Sequence, residues 1–224
     1  QNAIYRILIN PFGVYSFGKQ HVGTNRIFSF GQANFSPDGT KYTIFGGVSA
    51  GGLTQYADIY DFDRCSGLFN NHEHFEVKSN SSTGVGSAIS ANSRWLYIAL
   101  FDKLLKYDLK ADNIESTREL VAEYEPFNDP FPTKFFWMFS APDDKIYIVT
   151  TSGSRTLHVI HKPDEPVPNS AFEQHGIRLL CRNGSSLPTF ANYRLGPIDG
   201  SPCDNLGINN DPVSWWRYEQ DTLD

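Results

Sequence analysis

The sequence predicts an all-β fold built from repeated four-stranded sheets, and three observations lead there. Aromatic residues make up 14% of the chain, and turn formers are plentiful, with 18 Gly and 13 Pro against a single Met. Such a mix favours strands over helices. The stretch FSPDGTKYTIFGG, Phe35 to Gly47, reads as an apolar residue and a serine, a Pro-Asp-Gly turn, and then an aromatic and β-branched strand. That pattern returns twice at nearly constant spacing.

The second and third copies are ISANSRWLYIALFD, Ile89 to Asp102, and FSAPDDKIYIVTTSG, Phe139 to Gly153. Aligned at Phe35, Ile89 and Phe139, they lie 54 and 50 residues apart. A second element follows each copy: ADIYDFDRCSG (Ala57 to Gly67), KLLKYDLKADN (Lys103 to Asn113) and TLHVIHKPDEP (Thr156 to Pro166). Each is a short apolar run leading into charged turn residues, as expected of an inner strand running out into a loop. A period of ~40 to 50 residues with four strands per unit is that of a β-propeller blade. Twisted sheets stacked radially bury faces that one sheet alone would leave wet. Phe45, Tyr60, Trp95, Tyr97, Tyr107, Phe139 and Tyr147 are the aromatics expected between blades.

The element order follows. Residues 1–29, opening on the strand-like QNAIYRILIN, are expected to be the end of a preceding blade and an approach strand. Residues 30–212 are read as blades with a loop-rich C-terminal part, and 213–224 as a linker or the start of an immunoglobulin-like module. About three full blades plus partial ones do not close a ring, which at ~50 residues per blade needs roughly 300 to 400 residues. The expectation is therefore a propeller incomplete in this chain, cut from a longer polypeptide or completed by further blades from the same or another chain.

Charge narrows the partners. The net charge of -6 is spread along the sequence, and such a surface repels phosphate backbones, so nucleic acid is not an expected partner. No apolar run reaches the ~18 to 20 residues that span a bilayer, so membrane insertion is not expected either.

The segment from His175 to Asp224 looks less blade-like in its first half. Pro and Gly recur every few residues in LPTFANYRLGPIDGSPCDNLG, the mark of an ordered loop system. Together with the SPDG repeats and IYDFDRCSG, the residues Leu187-Pro188-Thr189-Phe190, Asn192-Tyr193-Arg194-Leu195-Gly196 and Asp199-Gly200-Ser201-Pro202-Cys203-Asp204 resemble the propeller regions of large secreted proteins of the Bacteroidetes. Members of that group are exported by the type IX secretion system and often carry immunoglobulin-like modules of the polycystic-kidney type after the propeller. The resemblance implies an extracellular or cell-surface location.

Outside the cytoplasm, Cys181 and Cys203, which flank the loop system, form the expected disulfide, a bridge that would contribute about 3 kcal/mol. Cys65 is then expected to be a buried small hydrophobe. The cysteines show no CxxC spacing and no His at metal-ligand distances.

Chemistry is sparsely signalled. His72-Glu73-His74 places two imidazoles on one face if it is a strand, but LFNNHEHFEVKSNSS reads as a polar loop with no third ligand in view. Asp58, Asp61 and Asp63 lack the Gly and Glu of a calcium loop and are read as turn and cap residues, as are Asp108 and Asp112. His158 and His161 fall on opposite faces of a strand. No nucleophile elbow, HExxH or phosphate loop is present. No catalytic residue, metal ligand or cofactor is assigned. The run FPTKFFWMFSAP offers Phe135 and Trp137 as a possible ligand surface, with inter-blade packing as the alternative.

These readings add up to a non-enzymatic extracellular propeller module for protein or glycan binding, adhesion or scaffolding. The alternatives are a secreted hydrolase or lyase with a central-channel site, and a structural subunit of an extracellular assembly.

Overall fold

A computed structural model describes residues 2–10, 13–25, 31–46, 54–78, 86–188, 195–196 and 198–204. Among them there is no α-helix, and so none long and apolar enough to cross a membrane. β1 (Ala3–Asn10) and β2 (Gly13–His21) form a two-stranded hairpin. Three four-stranded antiparallel sheets follow. The first contains β3 (Gly31–Phe35), β4 (Lys41–Gly46), β5 (Thr54–Asp63) and β6 (Leu68–Lys78). The second contains β7 (Gly86–Ile89), β8 (Trp95–Leu100), β9 (Lys103–Asp108) and β10 (Glu119–Glu123). The third contains β11 (Phe135–Ser140), β12 (Ile146–Thr150), β13 (Thr156–Ile160) and β14 (Phe172–Arg178). In every sheet the strands lie side by side in chain order.

The repeat has a local physical cause. Phe35, Ile89 and Phe139 stand at or next to the end of the first strand of each sheet, and the turns after them share one geometry. The N–H of Gly39 donates to the Ser36 carbonyl, that of Ser93 to Ser90 and that of Asp144 to Ala141. Gly39, Ser93 and Asp144 occupy the left-handed region, with φ of 68°, 60° and 62°. Asp38 and Asn92 close these turns by accepting the N–H of Thr40 and Arg94, each at 3.0 Å. A short side-chain oxygen reaching the backbone two residues on is what Asp and Asn do in turns. The second elements of the repeat become β5, β9 and β13, the third strand of each sheet.

Packing joins the sheets face to face. Phe45, Ala57, Ile59, Phe75 and Val77 of the first sheet meet Ile89, Leu96, Ile98, Leu105 and Tyr107 of the second. The opposite face of the second, with Tyr97, Ala99 and Leu104, packs on Met138, Ile146, Ile148 and Ile160 of the third. The first strands also touch, β7 lying against both β3 and β11. Gly86 permits this approach, since a Cβ there would overlap the Phe136 carbonyl. Amide side chains tie the junction: Gln32 on β3 accepts from the N–H groups of Ser87 and Met138, and Asn34 donates to the Ser87 carbonyl at 2.8 Å. Between the second and third sheets, Trp95 Nε1 and the Tyr97 hydroxyl donate to the carbonyls of Asp164 and Pro163. Buried Lys106 lies 4.0 Å over the Trp95 ring and donates to the Glu165 carbonyl.

Several expectations need correction. His175 to Arg178 are not loop but the end of β14; a register shift opposite Leu157 and Val159, with His175 at φ 61°, hides the alternation that would have marked a strand. The disulfide joins Cys65 to Cys203, with Cα atoms 5.6 Å apart, while Cys181 is exposed and not bonded. Cys65 is accordingly not a buried hydrophobe but an exposed residue in the β5–β6 turn, where its N–H donates to Asp63 Oδ1 at 2.8 Å. That turn lies beside the first turn of the sheet, and Leu195 and Arg64 both pack over Gly39, which carries the segment of Cys203 to Cys65 instead of Cys181. Phe135 is fully buried and belongs to the core between sheets, not to a ligand surface; Trp137 is half-buried and stacks on Phe136. Residues 189–194 of the family-like motif and the expected linker at 213–224 lie outside the described residues.

Candidate functional site

Among the described residues, two places that gather chemically capable side chains stand out. The first is an open cleft of about 340 Å³ lined by Phe127, Asn128, Asp129, Thr156, His175 and Arg178. It is built by the connection between the second and third sheets and by the ends of β13 and β14. Phe127 is 46% exposed, and its ring lies 4.7 Å from that of His175. The backbone under it is pinned by Tyr124, whose hydroxyl donates to the Phe127 carbonyl and accepts the Phe127 N–H. Thr133 Oγ1 also donates to that carbonyl, so it accepts from His175 Nε2 at 2.9 Å. An aromatic face beside a carboxylate, a guanidinium and an imidazole suits a polar ligand with an apolar patch.

Behind the cleft lies His158. It is fully buried, donates from Nε2 to the Thr133 carbonyl at 2.7 Å and accepts at Nδ1 from the His175 N–H at 3.1 Å. Both ring nitrogens are therefore used by the neutral form. Burial pushes its pKa down to about 4, and the charge of nearby His175 acts the same way against the opposing Thr133 hydrogen bond. Its unfolded value is about 6.5, so the unfolded chain takes up the proton first. The stability from neutral His158 is thus complete above pH 6.5 and is lost as pH falls toward 4, about 3 kcal/mol in all. His175, also lowered by burial, adds to the loss with the same sign. Urea unfolding between pH 7.5 and 4 should show this slope, and His158→Gln should flatten it.

The second place is in the first sheet. The HEH stretch expected to be a loop is the middle of β6, so His72 and His74 share a face. In register, Asp58 of β5 stands opposite His74. A bulge sets Asn71 and His72 of β6 against Tyr60 alone, with Asn71 at φ 46°. His72 Nε2 and His74 Nδ1 then reach the same oxygen, Asp58 Oδ1, at 2.5 and 2.8 Å. Tyr60 stacks on His72 and Tyr56 on His74, with centroids 4.7 and 5.1 Å apart. Sequence reasoning had both halves, the imidazoles in one segment and Asp58 in another, but not the pairing that joins them. Asp58 is a sheet residue buried under two imidazoles and not a turn residue; Asp63 and Asp108 do hold turns, accepting the N–H groups of Cys65 and Lys110. His161 stands apart, exposed and 2.8 Å from Glu173.

No protein-family model matches the sequence, and neither does any curated protein. Among solved structures, the chain is similar to dihydro-heme d1 dehydrogenase NirN in complex with DHE, at 17% identity and a TM-score of 0.43, over 74% of this chain and 30% of that one. It is also similar to a luciferin-regenerating enzyme, at 14% identity and a TM-score of 0.37, over 81% of this chain and 64% of the other. The chain spans less than two thirds of the length of either protein.

Proposed function

We propose that the three sheets are successive blades of a β-propeller, around an axis lined by β3, β7 and β11, and that the chain is a non-enzymatic binding module of an extracellular or cell-surface protein. The observation that carries the binding role is the cleft at Phe127, where an exposed ring and the Asp129, His175 and Arg178 side chains line one opening. Its size suits a sugar residue or one or two side chains of a protein loop. The Cys65–Cys203 bridge favours an oxidising compartment, in keeping with the resemblance to type IX-exported propellers. Further blades, from the same polypeptide or from another chain, are partners of the ring.

Screening the protein against glycan and cell-surface protein panels tests this reading. A ligand should be found whose affinity falls roughly thirtyfold in Phe127→Ala, the ~2 kcal/mol of a central aromatic anchor. A parent protein that binds nothing, or binding indifferent to both Phe127→Ala and Arg178→Ala, would sink the proposal.

A further inference from the structure

We infer that Asp58, His72 and His74 form a binding site for a divalent transition-metal ion of the zinc class, outside the cleft and away from the first strands of the sheets. The donor set is two imidazole nitrogens and one carboxylate oxygen, and the donor atoms all lie within 4.8 Å of one another. Imidazole with a single carboxylate suits zinc and its first-row neighbours, whereas calcium and magnesium take oxygen ligands in greater number.

Three features make this a built site and not a chance meeting of side chains. The ligands sit on adjacent strands of one sheet, where register and bulge fix their positions. The rings are held by stacking, His72 on Tyr60 and His74 on Tyr56. Exposure is graded from 0% for the Asp58 side chain through 16% for His72 to 30% for His74, so the carboxylate anchors the site from below while His74 leaves a way in from solvent.

The present contacts are those of hydrogen bonds, at 2.5 and 2.8 Å. An ion with ligands at ~2.0 to 2.1 Å in tetrahedral array needs donors about 3.3 Å apart, so the His72 and His74 nitrogens withdraw from Asp58 Oδ1 by roughly 0.8 and 0.5 Å. The ion takes the place of the ring proton that faces Asp58 Oδ1, and each neutral imidazole then carries its proton on the other ring nitrogen. With three protein donors, a fourth position stays open to water or to an oxygen of a ligand.

The test uses the full chain, treated with chelator and freed of it, then titrated with Zn2+ by calorimetry and with Co2+ by visible absorption. One ion per chain is expected, with tetrahedral Co2+ bands. His74→Gln, at the exposed end, keeps an amide donor beside Asp58, should still unfold cooperatively without metal at a somewhat lower temperature, and should weaken binding by at least about 100-fold, the upper end of what even outer-sphere partners cost. Asp58→Asn should do the same to binding, and His161→Gln should bind like the parent. The inference fails if no stoichiometric uptake is seen, if His72→Gln and His74→Gln both bind like the parent, or if uptake follows Cys181 instead.

Discussion

Replacing Cys65 with Ser should lower the stability of the protein by several kcal/mol and leave its folded contacts otherwise intact. The bridge to Cys203 closes a loop with a sequence separation of 138 residues. In the chain-entropy account, a loop of that length restricts the unfolded state by about 5 kcal/mol, and residual structure in the unfolded chain reduces this toward 3. Urea unfolding of Cys65→Ser and Cys203→Ser should show equal losses. Cys181→Ser should show none, because the Cys181 thiol is exposed and unbonded. The experiment separates the two pairings sharply: a bridge between Cys181 and Cys203 would reverse the roles of Cys65 and Cys181. Peptide mapping under non-reducing conditions gives the same answer without mutation.

Phe135→Ala is expected to destabilise the fold by about 3 to 5 kcal/mol, the range for a large aromatic removed from a packed core. Phe135 is fully buried, and three rings meet it edge-on: Tyr124 at 5.9 Å, His158 at 4.9 Å and Phe172 at 5.6 Å. Its loss opens a cavity against His158, and water entering there relieves the burial that holds the imidazole neutral. Two readouts should therefore move together. The urea midpoint falls at neutral pH, and the acid loss of stability shrinks as the folded pKa of His158 climbs back toward 6.5. A variant that lost stability while keeping the full acid slope would show that Phe135 does not wall His158.

Much of the architecture was legible because its causes are local. A turn closed by Asp38 or Asn92 depends on residues within a few positions of each other, so FSPDG and ISANS announce the same geometry wherever they occur. Alternating or apolar runs after the turns marked β4, β8 and β12, and the apolar runs leading into charged residues marked β5, β9 and β13. The end of β14 escaped because a bulge breaks the period of two on which strand recognition rests. Phe135 and Trp137 were ambiguous for a related reason. β11 packs on the second sheet through Phe135 and Met138, while Phe136 and Trp137 lie with Leu179 and Leu187 in a separate cluster, and composition alone does not say which aromatic faces water.

The candidate sites were hidden for another reason. His72 and His74 were visible as a pair, but the residue that completes them lies on the neighbouring strand, chosen by a register that a single bulge at Asn71 resets. The cleft joins Phe127, in the connection between the second and third sheets, to Arg178 at the end of β14. Cys65 and Cys203 meet because the C-terminal segment returns over the first turn of the first sheet.

By itself, then, the amino-acid order determined the turns, the second and third strands beside them and their threefold recurrence, since these answer to steric and hydrogen-bonding preferences a few residues wide. Which cysteines join, which imidazoles find a carboxylate and which rings stay exposed were decided only in three dimensions, because contacts between distant segments depend on how whole sheets dock and on the register in which their strands pair.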